Sequence, residues 1–144
     1  MPLLPRKGVL AIAAVIDIAL HANGRPVAAK ALALRHDLPP RHQEPVLQAL
    51  VRQGILKGVR GPRGGYELAR DQGLITADDI LRAAGTVDDI GESPRTASAL
   101  LGDVVMPALA QAEQAFSSAL GHISIEQLTR SAAGMRQQLA SDRA

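Results

Sequence analysis

The sequence predicts a mostly α-helical chain with one small β-hairpin, in which a helix–turn–helix pair precedes the hairpin and a long helix follows it. Three observations carry that expectation. Apolar residues recur at three- and four-residue intervals over most of the 144 positions. Gly and Pro clusters punctuate them. A single glycine-rich segment, Gly61-Pro62-Arg63-Gly64-Gly65, separates two short strand-like runs. With 47% hydrophobic residues, 21% charged and a net charge of +2, the chain suits one compact domain, or one domain plus a helical appendage, and not a disordered, collagen-like or low-complexity class.

The first helix carries Val9, Ile12, Ala13, Ile16 and Leu20 on one face, the expected core side. Arg6 and Lys7 before the apolar stretch Val9 to Ile16 resemble the start of a secretory signal, but Asp17 interrupts the run after eight residues. No stretch approaches the ~18 apolar residues of a membrane span, and a cytoplasmic location is expected. Asn23-Gly24-Arg25-Pro26 closes this helix and starts a second, from Val27 to about Arg35. His36-Asp37-Leu38-Pro39-Pro40 forms the next turn. A third helix then runs from Pro40 or Arg41 to Gln53 and stops at Gly54, with Pro45 starting it late or bending it.

Ile55 to Arg60 and Tyr66 to Arg70 form the hairpin strands. Thr76 with Asp79 caps a fourth helix ending at Gly85, followed by a polar linker from Thr86 to Ala97. Leu101, Val105, Ala108, Ala112, Phe116 and Leu120, with Leu109 beside them, mark an apolar stripe on a long helix that Pro107 would kink. Ser124 with Gln127 caps a final helix, Ile125 to about Leu139. The expected units are residues 1–85, a linker 86–97, and residues 98–144. A long helix projecting from a complete small domain has little of its own chain to pack on, which favours a symmetric partner.

Charge is distributed unevenly. Residues 1–70 carry eleven Lys or Arg against four Asp or Glu, and residues 71–144 carry five against ten. The basic half therefore suits a polyanion or an acidic surface. On the third helix, Val46, Leu47 and Leu50 share one side, while Arg41, Pro45, Gln48 and Arg52 share the opposite one. A basic, hydrogen-bonding stripe on the second helix of such a pair suits a major groove, its N-terminal side chains reading base edges and a later Arg holding a phosphate. Lys57, Arg60 and Arg63 place three cations on or near the glycine-rich turn, where they suit a sugar-phosphate backbone or a minor groove. A nucleotide phosphate loop does not fit, because the lysine and hydroxyl of that pattern do not follow and no helix opens after the glycines.

Other chemistries are excluded or weak. With no cysteine there is no disulfide, thiolate metal site, cysteine-held iron–sulfur cluster or cysteine nucleophile. Tyr66 and Phe116 are the only aromatic residues, too few for stacking platforms or a ligand cage. His21, His36, His42 and His122 sit on different elements without metal-pair spacing, and His21 and His36 are expected to be structural. Asp78-Asp79 and Asp88-Asp89 are adjacent carboxylates facing different ways, at a helix start and in the linker.

Lys7-Gly8, His36 to Glu44, Gly54-Ile55-Leu56, Val59 to Arg70 and Ile75 to Ile80 resemble, in order, the Rrf2 family of bacterial transcription regulators, over roughly residues 5–130. The resemblance implies a winged helix-turn-helix with a long dimerisation helix, and sequence-specific binding of double-stranded DNA as a homodimer, most often as a repressor. The residues expected to meet DNA are Lys7, Arg41, His42, Gln43, Gln48, Arg52, Lys57, Arg60, Arg63 and Gly64. Those expected to form the dimer are Leu101, Val105, Leu109, Ala112, Phe116 and Leu120. Members that sense iron, redox state or nitric oxide carry three cysteines where this chain reads Asp88 to Ser98, so no cofactor or metal is expected. Control then falls to a small-molecule effector or a partner protein. The alternative is a winged-helix interaction module whose basic half holds an acidic partner protein.

Overall fold

A computed structural model describes residues 6–21, 25–36, 40–85 and 98–142; for Pro40, His42 and 136–142 only the backbone is described. The expected linker, Thr86 to Ala97, lies outside the described residues. Helix α1 (Arg6–His21) occupies the centre, with α2 (Ala29–His36), α3 (Pro40–Arg52), α4 (Ala77–Gly85) and α6 (Ile125–Asp142) packed around it. A π-helical turn (Leu101–Val105) runs into α5 (Met106–Gly121), and a 3-10 turn (Gln72–Leu74) precedes α4. This is the mostly helical fold with a two-stranded wing that the sequence predicts.

The expected face of α1 is corrected. Ala11, Ala14, Val15 and Ile18 are its buried hydrophobic residues, whereas Val9 is exposed and Ile12 and Ile16 only flank the core. The helix is apolar almost all round and has neighbours on several sides, so periodicity alone does not set its phase. The core continues through Leu32, Leu47, Leu50, Ile55, Leu56, Ile75, Ile80 and Ile125, all aliphatic.

Strand β1 (Leu56–Val59) pairs antiparallel with β2 (Gly65–Leu68), Lys57 opposite Glu67 and Val59 opposite Gly65. A third backbone segment joins them. Val27, expected inside the second helix, lies extended before α2 and exchanges two 2.8 Å hydrogen bonds with Tyr66, its N–H to the Tyr66 carbonyl and the Tyr66 N–H to its own carbonyl. The approach is close enough that a Cβ on Gly65 would lie 2.3 Å from the Val27 carbonyl oxygen, and Gly65 has φ +152°. Only glycine fits there.

Both expected capping pairs form. Thr76 N–H donates to Asp79 Oδ2 while Asp79 N–H donates to Thr76 Oγ1, each at 3.1 Å. Ser124 N–H donates to Gln127 Oε1 and Gln127 N–H to Ser124 Oγ, each at 3.2 Å. The two helix starts are also stitched together: Ala77 N–H reaches the Ile123 carbonyl at 2.9 Å and Ile125 N–H the Ile75 carbonyl at 2.8 Å. Since Ile125 is fully buried, α6 shares its first turn with the core that α1 and α4 build.

Candidate nucleic-acid interface

Helix α3 begins on Pro40, whose missing N–H is no loss in the first turn. Gly54 ends it with φ +74°, and the paired bonds Ile55 N–H to Leu50 carbonyl and Gly54 N–H to Val51 carbonyl, both 3.0 Å, satisfy its last turn. Pro45 stays inside the helix. Val46, Leu47, Ala49 and Leu50 are buried, leaving Arg41, Pro45, Gln48 and Arg52 exposed, as the wheel predicts.

Gln43 is a correction. It is only 5% exposed and its Nε2 donates to the Ala29 carbonyl at 2.7 Å, tying α3 to α2, so it cannot reach a base edge. The signal was present in the wheel, which sets Gln43 between Val46 and Leu47, on the side of Leu50. His42 lies on α3, but its side chain is outside the described residues.

Between α3 and the wing runs a groove of about 530 Å³, lined among others by Gln48 and Val51 on one side and Gly58, Val59, Arg60, Gly64 and Tyr66 on the other. Arg60 and Arg63 are exposed at the wing. Among the described residues, no ion pair engages Arg41, Arg52, Arg60 or Arg63. Lys57 differs, because it sits opposite Glu67 and its Nζ is 3.2 Å from that carboxylate. Gly64 is needed by the turn itself: a Cβ there would lie 2.1 Å from the Val59 carbonyl oxygen. Lys7 stands away from the groove, at the seam of α1 and α3 with Leu10, Gln43 and Val46. Tyr66 borders the groove, and burial, followed by the Glu44 carboxylate, pushes its hydroxyl above the ordinary tyrosine value.

Beneath α2 lies a buried carboxylate that in the sequence shows only as an interruption of the first apolar run. Asp17 is 5% exposed and accepts from Arg35 Nε and Nη2, both at 2.6 Å, and from His36 Nε2 at 2.8 Å. His21 Nδ1 lies 2.8 Å from the Asp17 carbonyl and 3.1 Å from Oδ1. Burial acts to raise the Asp17 carboxyl, but the hydrogen bonds of Arg35 and His36 and the charges of Arg35 and His21 outweigh it and hold the group below the usual carboxylate range. The node fastens the C-terminal end of α2 to that of α1. Both histidines expected to be structural belong to it.

The apolar stripe of α5 divides. Leu101, Val105, Phe116 and Leu120 are half-buried, while Leu109 and Ala112 are exposed. Other apolar side chains of this stretch remain open: Leu100 is 67% exposed, Val104 59% and Leu109 60%, and Ala108, Ala112 and Ala115 are exposed with them. The π-helical turn ends just before Pro107, whose ring would clash with the Asp103 carbonyl in an unbroken α-helix. Met106 N–H bonds instead to the Leu101 carbonyl, five residues back.

Comparison with known proteins is consistent over nearly the whole chain. Residues 4–131 match the family model Rrf2, described as an iron-dependent transcriptional regulator. The HTH-type transcriptional regulator IscR of Xenorhabdus nematophila is 30% identical over 129 residues, covering 88% of this chain and 79% of that protein. Other curated relatives are matched over about half of their own length. Among solved structures, T. potens IscR superposes with a TM-score of 0.67 at 26% identity, covering 90% of this chain and 87% of that one. CymR, the global cysteine regulator of B. subtilis, gives a TM-score of 0.66 at 22% identity, over 88% and 95% of the two chains, which speaks for the fold alone. The family description raises the question of iron. The residues present do not fit a thiolate-held cluster, because the chain has no cysteine, and among the described residues no three His, Asp or Glu side chains are grouped to hold a metal ion.

Proposed function

The chain belongs to the Rrf2 family of transcriptional regulators, and from that premise we propose that it is a sequence-specific repressor that binds a pseudo-palindromic operator as a homodimer, without an iron–sulfur cluster. Its relatives are HTH-type transcriptional regulators, not enzymes. The observation that carries the reading is the groove between α3 and the wing, with Gln48 on one wall and Arg60 on the other, and Arg41, Arg52 and Arg63 exposed beside it. A helix of this width enters a major groove, where Arg41 offers paired donors and Gln48 a donor and an acceptor to base edges, while Arg52, Arg60 and Arg63 meet phosphates or an adjoining minor groove. Lys57, partly neutralised by Glu67, contributes as a phosphate contact.

The exposed apolar residues along α5 and the turn before it support two copies. Leu100, Val104, Ala108, Leu109, Ala112 and Ala115 present an apolar face with small residues that let two helices approach closely, and a two-fold pair of α3 helices would read two half-sites about one or two helical turns apart.

The test is a binding series on the purified protein with a duplex it selects from a random pool and a random duplex of equal length. The selected duplex should bind on the order of 10³-fold or more tightly than the random one at physiological salt. Arg41→Ala and Gln48→Ala should each cost about 1–3 kcal/mol on the selected duplex and relax base preference at particular positions, whereas Lys57→Ala should weaken both duplexes alike. Equal affinity for both duplexes would overturn the reading and favour an acidic partner for the basic half.

A further inference from the structure

Two adjacent carboxylates at the start of α4 reach in different directions, and each holds a helix that the proposed function needs. Asp78 Oδ1 accepts from Ser117 Oγ of α5 at 2.5 Å, and Asp78 Oδ2 accepts from Arg82 Nε at 2.8 Å. Arg82 Nη2 closes the ring by donating to Ser117 Oγ at 2.5 Å. This ring fastens α4 to α5.

Asp79 works on the other side. Besides closing the cap with Thr76, its Oδ2 lies 3.7 Å from Arg70 Nη1. Arg70 in turn donates from Nε to the Gly54 carbonyl at 3.1 Å and from Nη2 to the Gln53 carbonyl at 2.8 Å. Those carbonyls stand at the C-terminal end of α3, where the helix lacks internal partners and carries partial negative charge. A guanidinium suits the post because its fixed fork can grip two carbonyls with one edge and a carboxylate with another; an ammonium cannot do both in one geometry.

We propose that Arg70 is a positioning residue for DNA reading, transmitting the setting of α4, and through Asp78 and Ser117 that of α5, to the C-terminal end of α3. Asp78 and Asp79 are consecutive on one rigid turn and move together. A displacement of α5 that draws on Ser117 therefore shifts Asp79, and with it the support under the Gln53 and Gly54 carbonyls just beyond α3. The half-sites would then register how the two copies are packed, through a connection that touches neither the bases nor the dimer face. This inference rests on the DNA-binding reading above.

The experiment uses the full chain, the selected duplex and the random duplex. Arg70→Lys, which keeps the charge and loses the fork, should weaken the selected duplex about tenfold and the random one less than about twofold. Ser117→Ala should weaken the selected duplex severalfold from a distance while Ser117→Thr, which keeps the hydroxyl, restores it. The double variant should bind no worse than Arg70→Lys alone, as steps along one connection require. In the DNA-free protein, the amide resonances of Gly54 and Ile55 should shift in Ser117→Ala and stay in place in Ser118→Ala, one residue along. Unshifted resonances with Ser117→Ala, multiplying effects in the double variant, or monomers produced by Ser117→Ala would each overturn the proposal. Failure of the unsubstituted protein to prefer any duplex would overturn the DNA reading instead, and the resonances would still decide whether Arg70 and Ser117 are connected.

Discussion

The body built on α1 and the arm formed by α5 contain similar residues and use them in opposite ways. In the body, Val15, Ile18, Leu32, Leu50, Ile75, Ile80 and Ile125 are fully enclosed by one another. Along the arm from Met106 to Ala115 every residue is exposed, Leu109 and several alanines among them. The body's apolar side chains are covered by its own chain. Those of the arm are left open to solvent, and in the dimer proposed above the same chemistry that stabilises a fold in one place would stabilise an assembly in the other.

The largest effect that can test this contrast is a cavity in the body. Ile18→Ala should cost about 2–5 kcal/mol in urea unfolding, by lost burial and an unfilled space, at protein concentrations where assembly is unchanged. A cost no greater than that of Leu109→Ala would break the comparison. Next comes the arm itself. Leu109→Glu should convert dimers to monomers in sedimentation while leaving the body's thermal transition of the separated monomer intact. Persistence of the dimer would place the interface elsewhere.

The contrast sharpens at Asp17, the one buried charge among the described residues. Asp17→Asn should cost about 1–3 kcal/mol, since it leaves Arg35 and two histidines around a neutral amide; Arg35 is partly exposed, which keeps the figure below that of a fully buried pair. The pH dependence has a definite sign. Because its folded pKa lies below the unfolded one, Asp17 adds stability above the unfolded carboxylate value of ~3.9, and that contribution is lost as pH falls through the folded value. Acid titration of stability should therefore flatten below pH ~4 in Asp17→Asn. The smallest expected effect is Ser124→Ala, about 1 kcal/mol from a lost cap, read in the same unfolding series and confined to the body.

Legibility followed the reach of the forces involved. The caps at Thr76 and Ser124 and the stop at Gly54 are settled within three or four residues, so the sequence displays them directly. Val27 was misplaced because Ala- and Leu-rich chain favours a helix locally, while its actual partner, Tyr66, is 39 residues away. Asp17 meets Arg35 across 18 residues, and no periodicity links them. On α5 the pattern shows an apolar helix but not which of its sides meets its own body. Gln43 is the opposite case: its angle on the helix, between Val46 and Leu47, by itself marks it as inward-facing.

One more consequence lies in the π-helical turn at Leu101–Val105. Each residue of an α-helix advances the azimuth by about 100°, so the wide turn sets a rotational phase for everything beyond it. The direction in which Val104, Ala108 and Ala112 look out from the body is thus encoded by the number of residues at the root of the arm as much as by their identity. Inserting one residue after Met106, within the ordinary α-helix, would keep every outer side chain and turn Ala108, Ala112 and Ala115 by about 100°, a compass error rather than a loss of adhesive.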